Sequence, residues 1–121
     1  NELNIDFQKP LVIVEGFFDL FNAGDNATFL AGNNLTINSK LFSKIVEYQT
    51  PIYLALDSDA KQFQAKLARK FFHHGISVYL VDLKEYKDVG EMSSGEFQQC
   101  FSEAVLFEEK DDLLRRIKDI C

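Results

Sequence analysis

Residues 11–19 read Leu-Val-Ile-Val-Glu-Gly-Phe-Phe-Asp, and the prediction of the fold starts from this stretch. Its first four residues form an unbroken apolar run rich in β-branched side chains, the pattern of a strand that is covered on both faces. The run ends at Glu15 and Gly16, which places an acid at the carboxyl end of the predicted strand. Acids recur at the ends of later strands, and their positions determine what the sequence predicts about function.

The rest of the chain alternates between strand and helix patterns. The predicted strands cover residues 11–14, 27–31, 52–56 and 76–81. The helical segments between them cover residues 17–21, the stretch from a cap at Asn38 or Ser39 to the break at Pro51, and residues 60–74. Gly75 is expected to end the longest helix, because glycine is the usual residue just past a helix. Strands separated by helices imply right-handed crossovers and parallel pairing. We therefore predict an α/β fold, a Rossmann-like and mainly parallel four-stranded sheet flanked by helices.

The carboxyl-terminal part of the chain has a helical period. We divide the chain into a core, residues 1–95, and a helical extension, residues 96–121, that packs on the core as two helices with a break near residues 109–111. The predicted apolar stripe of the extension comprises Phe97, Phe101, Val105, Leu113, Leu114, Ile117 and Ile120. Packing on the sheet explains this stripe, and a surface that docks another protein or domain is the alternative.

Length and composition limit the class of protein. The chain has 121 residues, of which 46% are hydrophobic and 26% charged, so it is one globular domain and not a disordered or low-complexity segment. No apolar run approaches a membrane-spanning length, so we expect a cytoplasmic protein with no membrane contact. The two cysteines, Cys100 and Cys121, are expected to be reduced thiols. Because the chain starts at Asn1 and not at Met, we expect it to be a piece of a longer protein.

The charge limits the partners. Thirteen Lys and Arg residues stand against 19 Asp and Glu residues, for a net charge of −6. A module that held nucleic acid by itself would be basic, because phosphate neutralisation supplies most of the affinity. Any nucleic acid on which this chain acts must therefore be held by other segments or partners.

Acids follow three of the four predicted strands. Glu15 follows the first, Asp57 and Asp59 follow the third, and Asp88 lies in the loop after the fourth. Asp19 lies one helical turn after Glu15 and can face the same edge. The carboxyl ends of parallel strands meet at one edge of a sheet, so we expect these five carboxylates to share a small volume. Their repulsion is relieved by a hard divalent cation with oxygen ligands, Mg²⁺ or Mn²⁺.

Each acid taken alone also has an ordinary structural explanation. Asp59 can cap the helix predicted to begin at Ala60, and Lys87 with Asp88 can be a solvated loop pair. Capping does not explain why acids follow three strands at once, and the combination favours the metal site.

Four motifs, all in the same order along the chain, resemble the Toprim domain of bacterial-type DNA primases. Residues 12–19 resemble its strand-Glu-Gly-x-x-Asp element, and residues 54–59 resemble its Asp-x-Asp strand. Residues 87–91 resemble the primase Lys-Asp-Pro-x-Glu loop, and residues 31–36 stand where primases carry an Ala-x-Gly-x-x-Leu-Thr turn. The similarity covers residues 9–93.

The resemblance implies a Toprim fold and a nucleotidyltransferase, part of a larger DNA primase that polymerises ribonucleotides into RNA primers for DNA replication. It implies Mg²⁺ or Mn²⁺ as cofactor, with single-stranded DNA template and nucleoside triphosphates bound through other domains. A replicative helicase is a further expected partner, and a phage protein or a fused primase–helicase is the expected source, in a bacterial cell or phage-infected host.

The resemblance also implies residue roles. Glu15, Asp57 and Asp59 would be catalytic, and Glu15 would act either as a metal ligand or as a general base. Two phosphate contacts are predicted from position and not from the resemblance: Lys87, which its loop brings to the site, and Lys61, in the helix that follows Asp59, for which a solvated helix face is the alternative. The implied metal ligands are Glu15, Asp19, Asp57, Asp59 and Asp88.

The chain departs from the primase pattern at several positions. Ala60-Lys61-Gln62 stands where primases have a small residue and Ala-Gly, and Ser58 replaces the glycine between the two aspartates. In the loop, Val89 replaces the proline and Gly90 replaces a second aspartate, so one peripheral carboxylate is missing.

Two other classes share part of the pattern. A metal-dependent Toprim nuclease or topoisomerase fragment has the Glu and the Asp-x-Asp, but none of the four tyrosines has a recognisable nucleophile setting. A degenerate module that only binds partners would not need five intact acids. The sequence also has no zinc-binding Cys/His set for template recognition. We therefore expect the isolated chain to make little or no primer, although its acids should bind metal.

Overall fold

A computed structural model describes residues 5–30, 40–108 and 110. The strands and α-helices of this part of the chain are β1 (Leu11–Val14), β2 (Ala27–Phe29), α1 (Lys40–Tyr48), β3 (Ile52–Ala55), α2 (Lys61–His73), β4 (Val78–Leu80), α3 (Ser94–Ser102) and β5 (Val105–Leu106). Short 3₁₀ helices follow the ends of β1 and β3 and occur in the loop after β4; they span Phe17–Asn22, Ser58–Ala60 and Val89–Glu91. No helix among the described residues is long and apolar enough to cross a membrane.

The strands form one sheet in the order β2-β1-β3-β4-β5. β1 lies inside the sheet, next to the edge strand β2, and pairs in parallel with β2 on one side and with the central strand β3 on the other. β3 and β4 are also parallel, and only β4 and β5 pair antiparallel. The predicted α/β class with a mainly parallel sheet is therefore confirmed. All four predicted strands are present, and β1 has the predicted bounds.

The sheet contains a fifth strand that the sequence analysis assigned to a helix. The prediction of helix throughout residues 96–121 is wrong at Val105 and Leu106, which form β5. The backbone of β4 would otherwise present unpaired N–H and C=O groups at the sheet edge, and β5 satisfies them. The Phe107 N–H, for example, donates to the Val78 carbonyl at 2.7 Å. Val105 is 66% exposed, so it does not belong to a buried apolar stripe.

Several sequence predictions fall outside the described residues. They are the turn at residues 31–36, the helix cap at Asn38 or Ser39, the thiol of Cys121, and the distal part of the apolar stripe, comprising Leu113, Leu114, Ile117 and Ile120. The division of the chain at residue 95 stays a prediction.

Apolar side chains cover both faces of the sheet. On one face, Ile13 and Leu54 pack with Phe42 of α1 and Phe71 of α2. On the other face, the cluster includes Val12, Val14, Val89, Met92 and Phe97. Every residue of β1 is 5% exposed or less, which explains why this strand reads as a continuous apolar run. Gly75 follows α2 with φ +80°, as expected of the residue that ends a helix.

Candidate active site

The acids predicted from the strand ends emerge at one edge of the sheet. β1 and β3 are neighbours and stay in register to their last residues, so Glu15 and Asp57 leave adjacent strands. The Ser58 N–H donates to the Lys87 carbonyl at 2.8 Å. This hydrogen bond joins the turn that carries Asp57 to the loop that carries Asp88.

Two carboxylate oxygens at this edge are buried without a hydrogen-bond partner. They are Glu15 Oε1 and Asp57 Oδ1, and no other buried side-chain nitrogen or oxygen of the described residues is known to lack a partner. A buried acceptor left unsatisfied costs about 1–3 kcal/mol, and more when it is charged. Two such oxygens on neighbouring strand ends fit a hard cation, which takes oxygen ligands and offsets their charge.

The electrostatics of Asp57 show how close the acids lie. Burial is the main cause that raises the pKa of Asp57 from 3.8 to about 6. The negative charges of Glu15, Asp19, Asp88 and Asp59 raise it further, in that order of size. The structure thus brings the five predicted acids close enough together that the charges of the other four all raise the pKa of Asp57.

The helix that follows Asp59 begins without a side-chain cap. α2 starts at Lys61 with Ala60 as its N-cap residue, and no side chain bonds to the first turn at that position. Asp57 precedes the Ser58–Ala60 3₁₀ helix and makes no capping bond either. The structural alternative of a capping Asp59 is therefore not realised, and its exposed carboxylate stands beside the site.

Asp19 and Asp88 differ from Glu15 and Asp57 because backbone amides already engage them. Asp19 Oδ2 accepts from the Gly16 N–H at 3.0 Å, and Asp19 Oδ1 accepts from the Gly90 N–H at 2.7 Å. Asp88 Oδ1 accepts from the Glu91 N–H at 3.0 Å and caps the Val89–Glu91 3₁₀ helix. These two acids lie near the others, and their hydrogen bonds hold them in the loops.

The acids do not form a ready ligand set. Within residues 5–30, 40–108 and 110, no group of three or more His, Cys, Asp or Glu side chains is assembled so that it could hold a metal ion. An ion bound by Glu15 and Asp57 would take its remaining ligands from water, or from Asp59 and Asp88 after these side chains rotate inward. Carboxylates that are not neutralised repel one another, which explains such a spread arrangement.

Two clefts flank the acids, and Lys61 contributes to both. One cleft, of about 340 Å³, has Asp57 in its wall, and the other, of about 640 Å³, has Glu15 and Asp59. Lys61 is exposed at the first position of α2, between these openings. The side chain of the other predicted phosphate ligand, Lys87, is exposed, and its backbone N–H donates to Glu91 Oε1 at 2.7 Å.

The sequence analysis did not identify two polar residues of the cleft beside Asp57. Gln64 lies in α2, and its Oε1 accepts from the Leu56 N–H at 3.2 Å. Lys84 adopts a positive φ of 59°, and its ammonium group lies 2.7 Å from Glu103 Oε1. The position of Lys84 in the loop after β4 is a signal that could have found it, since functional groups collect beyond strand ends.

Comparison with known proteins finds likeness at the level of structure. No protein-family model and no curated protein matches the chain. A crystal structure of the Aquifex aeolicus primase, comprising its zinc-binding and RNA polymerase domains, is similar with a TM-score of 0.66 and 23% sequence identity. The match covers 81% of this chain and 26% of the primase chain. The fold is thus shared with part of a bacterial primase, and the chain spans only that part of its length.

Proposed function

We propose that the chain is the Toprim catalytic domain of a DNA primase, which polymerises ribonucleotides into RNA primers with Mg²⁺ or Mn²⁺. The observation that carries this proposal is the pair of buried, unpartnered oxygens on Glu15 and Asp57. Two further observations support it. The chain shares its fold with part of a bacterial primase, and acids follow its strands in the order of the primase motifs.

The proposed cation would be held by Glu15 and Asp57, with Asp59 and Asp88 completing the set. When bound, such an ion lowers the barrier to attack by a 3′-hydroxyl and offsets the charge of the departing pyrophosphate. The residues nearest the strand ends supply the rigidity that this chemistry needs, since Glu15 directly follows the fully covered strand β1. At this rigid position, Glu15 can hold the ion or accept the proton of the attacking hydroxyl.

Substrate contacts divide between this chain and the rest of the protein. Lys61 stands between the two clefts and would attract the phosphates of a nucleoside triphosphate bound at the acids. The net charge of −6 disfavours a long contact with template, so template binding belongs to other domains. We therefore expect the isolated chain to synthesise little or no primer.

The proposal is tested in the full-length parent protein. Asp57→Ala and Asp59→Ala should each reduce ribonucleotide incorporation on single-stranded DNA by about 100-fold or more, the scale expected when an electrostatic stabiliser leaves an active site. Template binding, measured by fluorescence anisotropy, should stay within about twofold, because the phosphates are held by basic residues elsewhere. Asp25→Ala is the matched control, since Asp25 is an exposed acid just before β2, at the opposite end of the sheet.

Two outcomes would count against primer synthesis. Incorporation that survives both substitutions would contradict a catalytic role for the acids. Cleavage of phosphodiesters that depends on Asp57 and Asp59, with no synthesis by the wild type, would instead assign the domain to the nuclease class.

A further inference from the structure

The buried acid Asp19 has a bonding pattern unlike that of Glu15 or Asp57. It lies in the Phe17–Asn22 3₁₀ helix and is only 7% exposed. One of its oxygens accepts from the Gly16 N–H, three residues earlier, at 3.0 Å. The other accepts from the Gly90 N–H, 71 residues later, at 2.7 Å. Hydrogen bonds to an ionised acceptor are stronger than neutral ones, so this carboxylate is well satisfied without an ion.

The contact with Gly90 depends on the absence of a side chain there. A Cβ on Gly90 would lie 2.9 Å from Asp19 Oδ1 and 3.3 Å from Asp88 Oδ1. The Asp19 carboxylate could not retreat from that Cβ without losing its bond to the Gly90 N–H. A second and longer hydrogen bond, from Asn22 Nδ2 to the Val89 carbonyl at 3.4 Å, joins the same two segments.

These contacts fasten the loop after β4 to the turn after β1. The fastened loop carries Asp88, whose carboxylate is itself fixed on the Glu91 N–H. For Asp19 to bind an ion, it would have to release the amides of Gly16 and Gly90 and leave both without their acceptor, at a cost in free energy. The buried oxygens of Glu15 and Asp57 have no hydrogen bonds that would have to break before an ion could bind.

We propose that Asp19 is a positioning residue, which holds the Asp88 loop against the Glu15–Gly16 turn, and that it is not a ligand of the cation. This inference rests on the cation site of the proposed function. It replaces the metal-ligand role that the primase resemblance implies for Asp19, and it leaves Glu15, Asp57, Asp59 and Asp88 as the residues that would hold the ion.

The first test uses the wild-type chain alone and needs no substitution. Amide hydrogen exchange at Gly16 and Gly90 is measured by NMR with and without Mg²⁺. A positioning role predicts that both amides are protected and stay protected when Mg²⁺ binds, because Asp19 keeps its bonds. Loss of protection at both amides on Mg²⁺ addition would show that the carboxylate has turned to the ion, and would overturn the proposal.

The second test separates the two roles through Mn²⁺ affinity, measured by electron paramagnetic resonance on the full chain. Gly90→Ala removes no carboxylate, but its Cβ would lie 2.9 Å from Asp19 Oδ1 and 3.3 Å from Asp88 Oδ1, so the Asp19 carboxylate is the group that has to shift most. We expect Gly90→Ala and Asp19→Asn each to weaken Mn²⁺ binding by about tenfold or more, as for other groups that support metal ligands. The double variant should bind about as weakly as either single variant, because both changes break the same contact.

The control and the contrary result are equally specific. In Gly95→Ala, the new Cβ meets nothing closer than 4.0 Å, so Mn²⁺ affinity and the exchange of the Gly90 amide should not change. Weaker binding in Asp19→Asn combined with wild-type binding in Gly90→Ala would make Asp19 a ligand. A wild type that binds no Mn²⁺ would contradict the cation site itself, whereas rapid exchange at Gly90 would contradict the Asp19 contacts, so the two failures are distinguishable.

Discussion

Neutralising Asp57 should stabilise the chain when no metal is present. Burial and the charges of four neighbouring acids raise the pKa of Asp57 to about 6, so its ionised form is disfavoured in the fold. Asp57→Asn removes that charge and nearly preserves the shape of the side chain. We therefore expect the Asn variant to be more stable than the wild type in chelator at neutral pH.

The sign and size of the effect follow from linkage. A carboxyl whose folded-state pKa lies above its unfolded value stabilises the fold while it is protonated, and that contribution is lost as the pH rises through the folded pKa. A shift of about two pKa units corresponds to about 3 kcal/mol. The side chain is only partly buried, so solvent screening reduces this to about 1–2 kcal/mol. For a domain of this size, the melting temperature should rise by about 4–8 °C.

The assay is thermal melting of both proteins in chelator over a pH series. The melting difference should be smallest below about pH 3, where Asp57 is protonated in both the folded and unfolded states. The difference should grow between about pH 4 and 6 and level off above that. The exposed Asp25 offers a matched control, and Asp25→Asn should show no growing difference over the same interval.

Excess Mg²⁺ should reverse the order, since only the wild type gains the full binding free energy of the ion. A melting difference that does not vary with pH would refute the electrostatic argument. So would an Asn variant that is less stable than the wild type at neutral pH in chelator, because Asp57 would then be a structural acceptor.

Two predictions concern the scaffold. Phe71 is fully buried between α2 and the sheet, so Phe71→Ala should lower the free energy of unfolding by about 3–5 kcal/mol in urea titrations, while Phe71→Leu should lose much less. Ser93 caps α3 through a reciprocal pair of bonds with Glu96, so Ser93→Ala should cost about 1 kcal/mol in the same titrations. Ser94→Ala, one residue into the helix, is its control, and an equal loss there would contradict the capping role.

The central strands could be predicted because a strand that is buried on both faces has a nearly continuous apolar sequence. β1 is covered on both faces, and its apolar run begins and ends where the strand does. β5 has no such apolar pattern, since it consists of two residues, Val105 and Leu106, that are both exposed. That strand exists because the edge of β4 offers backbone partners, and a pairing between distant segments cannot be inferred from the period of one of them. The sequence keeps a helical period past Ser102, but Val105 and Leu106 pair with the edge of β4 and do not form a helix.

The positions of the acids were predictable for a topological reason, and their bonding was not. Once the sheet is parallel, Glu15 and Asp57 emerge at the same edge, and the direct pairing of β1 with β3 places them side by side. The partner of Asp19 depends on the conformation of a loop 71 residues away, and no spacing in the sequence encodes it. Gly90, which reads as the loss of a primase acid, is the residue whose bare backbone makes that partner accessible.

The fold divides five acids that look equivalent in the sequence into groups with different energetics. Backbone amides satisfy Asp19 and one oxygen of Asp88, so those charges help to order the loops even when no ion is bound. Glu15 and Asp57 each keep one buried oxygen without a donor, and these unsatisfied acceptors oppose folding until a cation binds. The amide hydrogen bonds to Asp19 and Asp88 order the loop whether or not an ion is bound. They would therefore keep Asp88 near the strand ends before metal binds. Only Asp59 and the Asp88 side chain would then have to move to complete the proposed site, which reduces the ordering cost of binding.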